Sequence, residues 1–370
     1  MGDLFQLPAV EKTSRIDARV FHSTLWPSFH FLELTEPCRQ DETEVAFASM
    51  LSRLRRGRSH LTRADVKMLR SRVCHTGHRC STCVPFQDVM RERTRKRRGA
   101  GAAPAEDFKE ISKERMHCPL TDGATVIAAM RAKVALLNAA HIDAVRARGD
   151  QVLTMDAVDR SPRGHALTSE AVRERINAAA TGQPAQLSVY RGMEAVLTRN
   201  ENVQGDFANG VFGTVVNFSA DASVVYFRPH GADADKPPLK VTRRVGKYKI
   251  PGFAWVSRLQ HPLLPAHAIT AHRVQGSTLD GEVHILLNQE FFAPGMAYVA
   301  LSRARRLSQL HLWCLDLDAI HADPVVEAEY TRLVQRMLTD DEMATLPARR
   351  SVSLPPIATI VIRSAANQAP

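Results

Sequence analysis

Apolar positions follow a helical period in four stretches of the chain. Phe47, Met50, Leu51 and Leu54 recur at helical spacing between Asp41 and Leu54, which predicts a helix with one buried face. Arg131 to Arg148 repeats the pattern with Val134, Leu137, Ala140 and Ala144 inward, and Ala171 to Thr181 gives a shorter helix stopped by Gly182. Pro324 to Leu338 adds an amphipathic helix through Val326, Tyr330, Leu333 and Met337. Short apolar runs at Thr125–Met130, Val152–Val158, Ala266–Ala271, Val283–Leu287 and Leu310–Cys314 read as strands. Strand, helix, strand over residues 125–158 is the unit of a parallel sheet, so an α/β domain is expected to begin there. Upstream, Val20, Phe21, Leu25, Trp26, Phe29, Phe31 and Leu32 form a dense apolar set, read as the last strands of an earlier sheet on which the 41–54 helix packs. His30 within it reads as a core or edge residue.

Between Pro184 and Leu264 the texture changes to short β segments broken by turn signals: Leu187–Tyr190, Glu194–Arg199, Val211–Phe218, Ser223–Arg228 and Lys240–Arg244. Asn209-Gly210 is a tight-turn pair, and a small antiparallel barrel fits the pattern. From Arg72 to Glu114 the periodicity dissolves. Arg91 to Arg98 holds six basic residues and one acidic residue, and Gly99 to Pro104 reads as a small-residue linker. The basic run suits a nuclear localisation signal or a grip on nucleic acid, and the tail from Pro347 is expected to be partly disordered.

Composition narrows the partners. At 370 residues, 44% hydrophobic and 24% charged, the chain suits two or three globular domains. A net charge of +10 points to a polyanion, because Lys and Arg release counterions from a phosphate backbone. No apolar run approaches the roughly 18 residues of a membrane helix, and there is no basic-then-apolar leader, so the expectation is a soluble intracellular protein with no membrane partner. Six cysteines then read as reduced thiols. Cys38, Cys118 and Cys314 stand alone, whereas Cys74, His78, Cys80 and Cys83 have spacing that could close a tetrahedral zinc site, the alternative being a loop of inert thiols. The exposed end of the 41–54 helix bristles with Arg53, Arg55, Arg56 and Arg58, either a solvated face or a contact with a nucleic-acid backbone.

The stretch most suited to chemistry runs from Pro265 to Asp280. An apolar lead-in is followed by Thr270, His272, Gln275, Gly276, Ser277 and Thr278, a set of short donors and acceptors suited to a phosphate or a nucleic-acid backbone. Downstream, Tyr298-Val-Ala-Leu-Ser-Arg-Ala-Arg-Arg306 reads as a helix that Pro294 suits as a start, with Arg303 on its third turn and Tyr298, Leu301 and Arg305 on one face. Together these stretches resemble motifs V and VI of superfamily-one DNA helicases of the RecD and PIF branch. Gly2-Asp3-Leu4-Phe5-Gln6-Leu7-Pro8 resembles motif III, and Leu34-Thr35-Glu36-Pro37-Cys38-Arg39-Gln40 resembles motif IV. Gly192 to Leu197, with Asn200 and Asn209-Gly210, looks like the start of the small barrel that PIF-type helicases insert in their second motor domain.

The resemblance implies an α/β fold: the end of one RecA-like domain and a second RecA-like parallel-sheet domain carrying an inserted SH3-like β-barrel. The expected division is 1–71 as a remnant of the first domain and 72–115 as a basic insertion. Residues 116–183 with 262–322 would form the second domain, 184–261 the barrel, and 323–370 a helix and tail. By the same resemblance Arg39 and Arg303 look like arginines that approach a γ-phosphate, Asp3 and Gln6 like the motif III pair that senses nucleotide, and Gly276 like a residue on the nucleotide side. Thr270, His272, Arg273, Gln275 and Thr278 look like the set that touches single-stranded DNA.

Departures from the pattern are Arg273 for lysine, Val274 for a serine that could meet a phosphate, Met296 where glutamine is common, and Ala9 for a second proline. A P-loop needs Gly-Lys followed by Ser or Thr, yet the only Gly-Lys is Gly246-Lys247, followed by Tyr248. The Asp-Glu pairs at 41–42 and 341–342 flank amphipathic helices rather than ending an apolar strand. The expectation is therefore the C-terminal portion of a PIF-type 5′-to-3′ ATP-dependent DNA helicase, from motif III onward, in which ATP and Mg2+ bind only with an upstream half or a separate chain bearing the P-loop. The alternative is an inactive remnant that binds single-stranded DNA or DNA junctions; a zinc-containing interaction module around Cys74–Cys83 is a third reading. The compartment favoured is the nucleus, with a mitochondrial or viral origin as the other choices.

Overall fold

The computed structural model describes residues 3–7, 19–28, 31, 33, 39–73 and 123–335, apart from 168, 201–207, 234 and 251–252. The Cys74–Cys83 cluster, the basic run at 91–98, the linker at 99–104, His30, most of the 34–40 stretch and the tail from 347 lie outside the described residues.

Four parallel strands organise the chain. Strands β1 (Thr125–Ala128), β12 (Ala268–Thr270), β13 (Val283–Leu287) and β14 (Leu310–Leu315) lie in the order β12-β1-β13-β14. All three pairings are parallel, with Val126 opposite Ala268, Ile127 opposite Ile285 and Val283 opposite Leu310. β1 and β13 are buried along their whole length, as strands covered on both faces must be. One face carries helix α3 (Arg131–Ala147), whose Leu137 packs with Val126, Ala268, Leu286 and Trp313. The opposite face meets α1 (Val45–Leu54) and the short α5 (Met296–Leu301), which share one core with Ile127, Ile269, Ile285 and Leu287.

Several expectations hold and several change. In α1 the buried side chains are Phe47, Met50, Leu51 and Leu54, as the period required. It packs on this parallel sheet, and the described residues between 19 and 28 form two 3-10 turns, Val20–His22 and Trp26–Ser28, in place of strands. Val20 and Leu25 are exposed there, while Arg19 pairs with Asp323 and Trp26 donates to Glu329, tethering the segment to helix α6 (Pro324–Val334). In α3, Ile142 and Val145 are buried and Ala144 is exposed, so the inward face is rotated from the one expected.

Strand β2 (Leu153–Asp156) does not join the parallel sheet. It pairs antiparallel with β4 (Gln186–Val189), because its alternating polar positions leave one side exposed. The chain returns to the parallel sheet only at β12. Between them β5 (Met193–Leu197), β6 (Phe212–Phe218), β7 (Val224–Pro229) and β8 (Leu239–Thr242) form an antiparallel meander, with β11 (Leu263–Pro265) beside β5. Its separate core holds Ala195, Val215, Val225, Phe227 and Leu263.

The sequence reading missed a hairpin, β9 (Arg244–Ile250) and β10 (Phe253–Gln260), which pairs with β3 (Val158–Arg160). Helix α4 (Glu170–Ala179) packs Ile176 against Ile250 and Val256 of that sheet. Arg258, fully buried, donates from Nε and Nη2 to the Asp159 carboxylate at 2.7 Å each, and also reaches Asn177 Oδ1 at 2.8 Å and the Gln183 carbonyl at 3.1 Å. This guanidinium joins β3, β10, α4 and the strand entry at 183. Each of its three nitrogens faces an acceptor, as a buried charge requires.

Helix α2 (Arg63–Ser71), also unforeseen, starts on a reciprocal cap. Thr62 Oγ1 accepts from the Asp65 amide, and Asp65 Oδ2 accepts from the Thr62 amide at 2.8 Å. The buried Asp65 carboxylate also takes two bonds from Arg53, at 2.8 and 2.6 Å. That bidentate partner, followed by the cap, lowers the Asp65 pKa to about 2. A carboxylate depressed in the folded state stabilises it above the unfolded pKa and loses that contribution as pH falls through the folded value. Urea unfolding of the protein should therefore lose about 2 kcal/mol between pH 4 and 2 through this group. Asp65→Asn should be less stable at neutral pH and lack that part of the acid dependence.

Candidate functional site at the carboxyl edge of the parallel sheet

Strand β12 delivers its polar tip at the carboxyl edge of the sheet, where ligands of open α/β sheets sit. Thr270 ends the strand opposite Ala128, and its carbonyl accepts from the amides of Arg273 and Val274, so residues 271–276 turn back on themselves. Val274 is fully buried beside Leu7 and Val299 in the main core. A serine there would place a hydroxyl in apolar surroundings, so the valine acts as the anchor of the turn and not as a lost phosphate contact. Met296 is likewise wholly buried. Gly276 has φ of 85° and open space where a Cβ would stand.

The guanidinium of Arg303 holds this turn. The side chain is 0% exposed. Nε donates to the Val299 carbonyl at 2.6 Å, Nη1 to the Ser277 carbonyl at 2.8 Å, and Nη2 to Ser302 Oγ at 2.7 Å. Helix α5 ends at Leu301, so Arg303 lies past the helix and not on a third turn, which lets it fold back under the loop. Burial first, and the charge of Arg39 second, lower its pKa to about 10. Arg39 itself is half-buried and donates from Nε to Thr278 Oγ1 at 3.2 Å. Its two Nη groups have no hydrogen bond among the described residues.

The 3–7 segment closes the other side. Asp3 Oδ1 caps the Phe5 amide at 3.1 Å, and its Oδ2 accepts from Gln6 Nε2 at 3.3 Å. Gln275 Nε2 then donates to Gln6 Oε1 and to the Leu7 carbonyl, both at 3.3 Å. Tyr298 faces Asp3, and burial together with that carboxylate raises its phenol pKa. The approach is close: a Cβ on Gly295, whose φ is 76°, would stand 2.3 Å from the Phe5 carbonyl oxygen. Only glycine suits that position on both counts.

Asp3, Gln6, Arg39, Gln275, Thr278 and Arg303 thus converge. Gln275 and Thr278 turn toward the 3–7 segment and Arg39, while His272 and Arg273 face away. His272 is exposed, and Arg273 spans to the Thr181 carbonyl at 3.3 Å. Partial loss of hydration on the side packed against the protein, and after it the nearby Arg131, lower both pKa values. Arg131 opens α3, where a cation opposes the helix dipole. The sequence offered no pattern to link it to the 272–273 pair; the link is made by β1 and β12 being neighbours.

Arginines 53, 55, 56 and 58 are neither a solvated face nor a free grip. They pair with Asp65, Glu33, Glu327 and Asp318 respectively. Arg55 also lies over the rings of Phe5 and Tyr330, at 5.2 and 5.5 Å. At the sheet's other edge, ligand atoms of Glu282, His284 and His311 come within 4.8 Å of one another, a set not singled out from sequence. Trp313 Nε1 donates to His284 Nδ1 at 2.9 Å, which places the imidazole proton on Nε2, facing Glu282 Oε2 at 3.2 Å. A nitrogen in that state is a donor and not a metal ligand.

No protein-family model matches the chain. Over 161 residues, 42% of this chain, it is 37% identical to the ATP-dependent DNA helicase PIF1 of Danio rerio, of which the match covers 24%. Over 343 residues, 90% of the chain, it is 29% identical to PIF1 of Mus musculus, of which the match covers 42%. The chain thus spans well under half the length of these curated relatives. Among solved structures, the Bacteroides Pif1 helicase in complex with ADP-AlF3 and ssDNA superposes with a TM-score of 0.59 at 21% identity, covering 90% of this chain and 66% of that one.

Arg303→Ala would strand the Ser277 carbonyl beside a cavity and remove a second donor from the Val299 carbonyl, and an unfolding titration should record a loss of about 3 kcal/mol or more. Arg303→Lys should recover little of it, since one ammonium cannot reproduce a planar fork. A loss below about 1 kcal/mol would show that the turn holds without the guanidinium.

Proposed function

We propose that this chain, similar to the PIF-type DNA helicases over most of its length, supplies the motif III-to-VI part of an ATP-dependent DNA helicase motor. The observation that supports this most is the convergence of Asp3, Gln6, Arg39, Gln275 and Arg303, which come from four separate stretches, on one edge of the parallel sheet. A motor needs such a junction, because a change at the nucleotide must reach the loop that touches DNA. Here the link is direct: Asp3 to Gln6 to Gln275, and from there into the 271–278 turn.

Arg39 has donors with no hydrogen bond among the described residues, near Asp3 and Tyr298, a fit for one side of a triphosphate. Bound ATP with Mg2+ would supply a γ-phosphoryl group whose developing charge an arginine can stabilise. Of the two arginines expected to meet it, Arg39 is the one poised to do so; Arg303 spends its donors on the turn and acts as a positioning residue. The cradle for the other phosphates and the metal has no counterpart in this sequence, and we assign it to a P-loop half on the same or another polypeptide. The antiparallel meander at 193–242 is, in this reading, the counterpart of the family's inserted barrel. On the outer side His272, Arg273 and Arg131 would meet the backbone of single-stranded DNA.

Fluorescence anisotropy with a labelled oligo(dT) should show binding that weakens steeply between 50 and 200 mM salt, following counterion release. Arg273→Ala should lower the slope of log K against log salt by about one. Binding indifferent to salt would overturn the backbone contact. The 370-residue chain alone should release no phosphate from ATP above background in a coupled assay; hydrolysis abolished by Arg39→Ala would show that it holds a complete cradle after all.

A further inference from the structure

The face of the β3-β10-β9 sheet turned away from α4 presents a pattern that the site at the parallel sheet does not use. Strand alternation assigns each residue to a side. Tyr248, Ile250 and Val256 point inward to α4, and the Tyr248 hydroxyl donates to Gln183 Oε1 at 2.8 Å. Lys247, Lys249, Trp255 and Ser257 therefore point outward. The register places Ser257 opposite both Lys247 and Arg160, so Arg160, Ser257 and Lys247 form one row across three strands. Trp255 and Lys249 occupy the next row, where the register shifts between Phe253 and Val256.

The composition of this face is unusual for plain solvent exposure. Trp255 is 54% exposed on a strand, and Val245 on the same face is 50% exposed. Lys247, Lys249 and Arg160 are exposed too, and no carboxylate pairs with any of them among the described residues. The nearest acid in sequence, Asp159, points to the opposite side and is consumed by Arg258. The arginines that ring α1 are matched by acids, whereas this basic row around a bare indole is not. The small Ser257 between Arg160 and Lys247 keeps the row low and open beside the ring.

We infer that this face is a stacking platform for single-stranded nucleic acid, with Trp255 stacking on a base and Arg160, Lys247 and Lys249 contacting the phosphates on either side. A bare indole flanked by cations is what such strands require: every base has a π-face, and the flanking backbone is anionic. A duplex keeps its bases stacked within and has none to offer the indole. The inference rests on the reading of the chain as a nucleic-acid-binding protein and adds a second contact, separate from His272 and Arg273. It gives the antiparallel region a task of its own, holding the strand away from the motor edge.

The test titrates the full chain with labelled oligo(dT), oligo(rU) of equal length, and a duplex. Trp255→Ala should weaken oligo(dT) binding by about five-fold or more, the low end of what one base–aromatic stack contributes, while Trp255→Phe keeps most of the affinity. Lys247→Ala with Lys249→Ala should reduce the salt slope by about two. An oligonucleotide bearing 5-iodouracil should cross-link to Trp255 on irradiation, as mapped by mass spectrometry. Circular dichroism of each variant should match the parent, since these side chains stand outside the core. Parallel titration of Arg273→Ala separates the two contacts: if it weakens binding while Trp255→Ala does not, the platform is overturned and the loop contact stands. If Trp255→Ala weakens binding and Arg273→Ala does not, the platform stands and the loop contact falls. Absence of any binding by the parent chain overturns both, and equal binding of duplex and single strand overturns the platform. The rU arm decides whether the platform accepts RNA as well as DNA.

Discussion

The organisation of the molecule depends on one buried cation. Arg303 is fully buried without a carboxylate partner, its charge balanced by the carbonyls of Val274, Ser277 and Val299 and by the Ser302 hydroxyl. A buried charge is tolerated only when its donors are met, and the acceptors that meet these donors belong to helix α5 and to the turn after β12. The turn is thereby held in a single conformation against the end of the helix. Every other feature of the edge follows from that: Val274 packs beneath, Gln275 is aimed at Gln6, and Thr278 is placed to meet Arg39. The arginine that the motif pattern associates with phosphate thus does its work here by shaping the loop.

The same economy governs the surface charge. A chain with this excess of Arg and Lys could scatter its cations over the surface, yet the arginines around α1 are each tied to an acid: Asp65 on α2, Glu327 on α6, Glu33 before α1 or Asp318 before α6. Paired cations hold elements together; they leave little field for a polyanion. Cations without an ion pair among the described residues include Arg131 and Arg273 at the loop edge and Arg160, Lys247 and Lys249 on the β3-β10-β9 face. Net charge indicated a partner, but only the pairing indicates where that partner has room.

Much of the fold was legible because buried parallel strands announce themselves. Val283–Leu287 and Thr125–Ala128 are mostly apolar, with only His284 and Thr125 as polar members, and α1 and α6 show clear helical periods. What failed had a common physical cause. The apolar cluster at 20–28 lacks a partner strand and curls into 3-10 turns against α6. β2 has the apolar content of a parallel strand, but its exposed alternate positions suit a two-stranded ribbon. The β9–β10 hairpin alternates lysines with its apolar residues and so reads as a loop, although that alternation is the signature of a sheet with one wet face. Of the site, the motifs singled out residues that the fold brings together at one edge: Asp3, Gln6, Arg39, Gln275, Thr278 and Arg303. Their directions were not legible, because whether Gln275 faces a ligand or Gln6 depends on where residues 3–7 dock, and no local pattern encodes that.

That docking bears on how the molecule comes to be folded. Phe5 lies against Gly295, closer than any side chain at that position would permit, and Leu7 shares a core with Val274 and Val299. β1 must likewise wait for β12 and β13 before it has any neighbour in its sheet. The main core is therefore built from contacts distant along the chain, the arrangement that slows folding most, since loop closure must precede the reward. During synthesis residues 3–7 would emerge long before their seat exists, while the 193–242 meander can close on its own local pairings. Assembly would start from the antiparallel region, and the edge that joins Asp3 to the turn would be among the last parts to form.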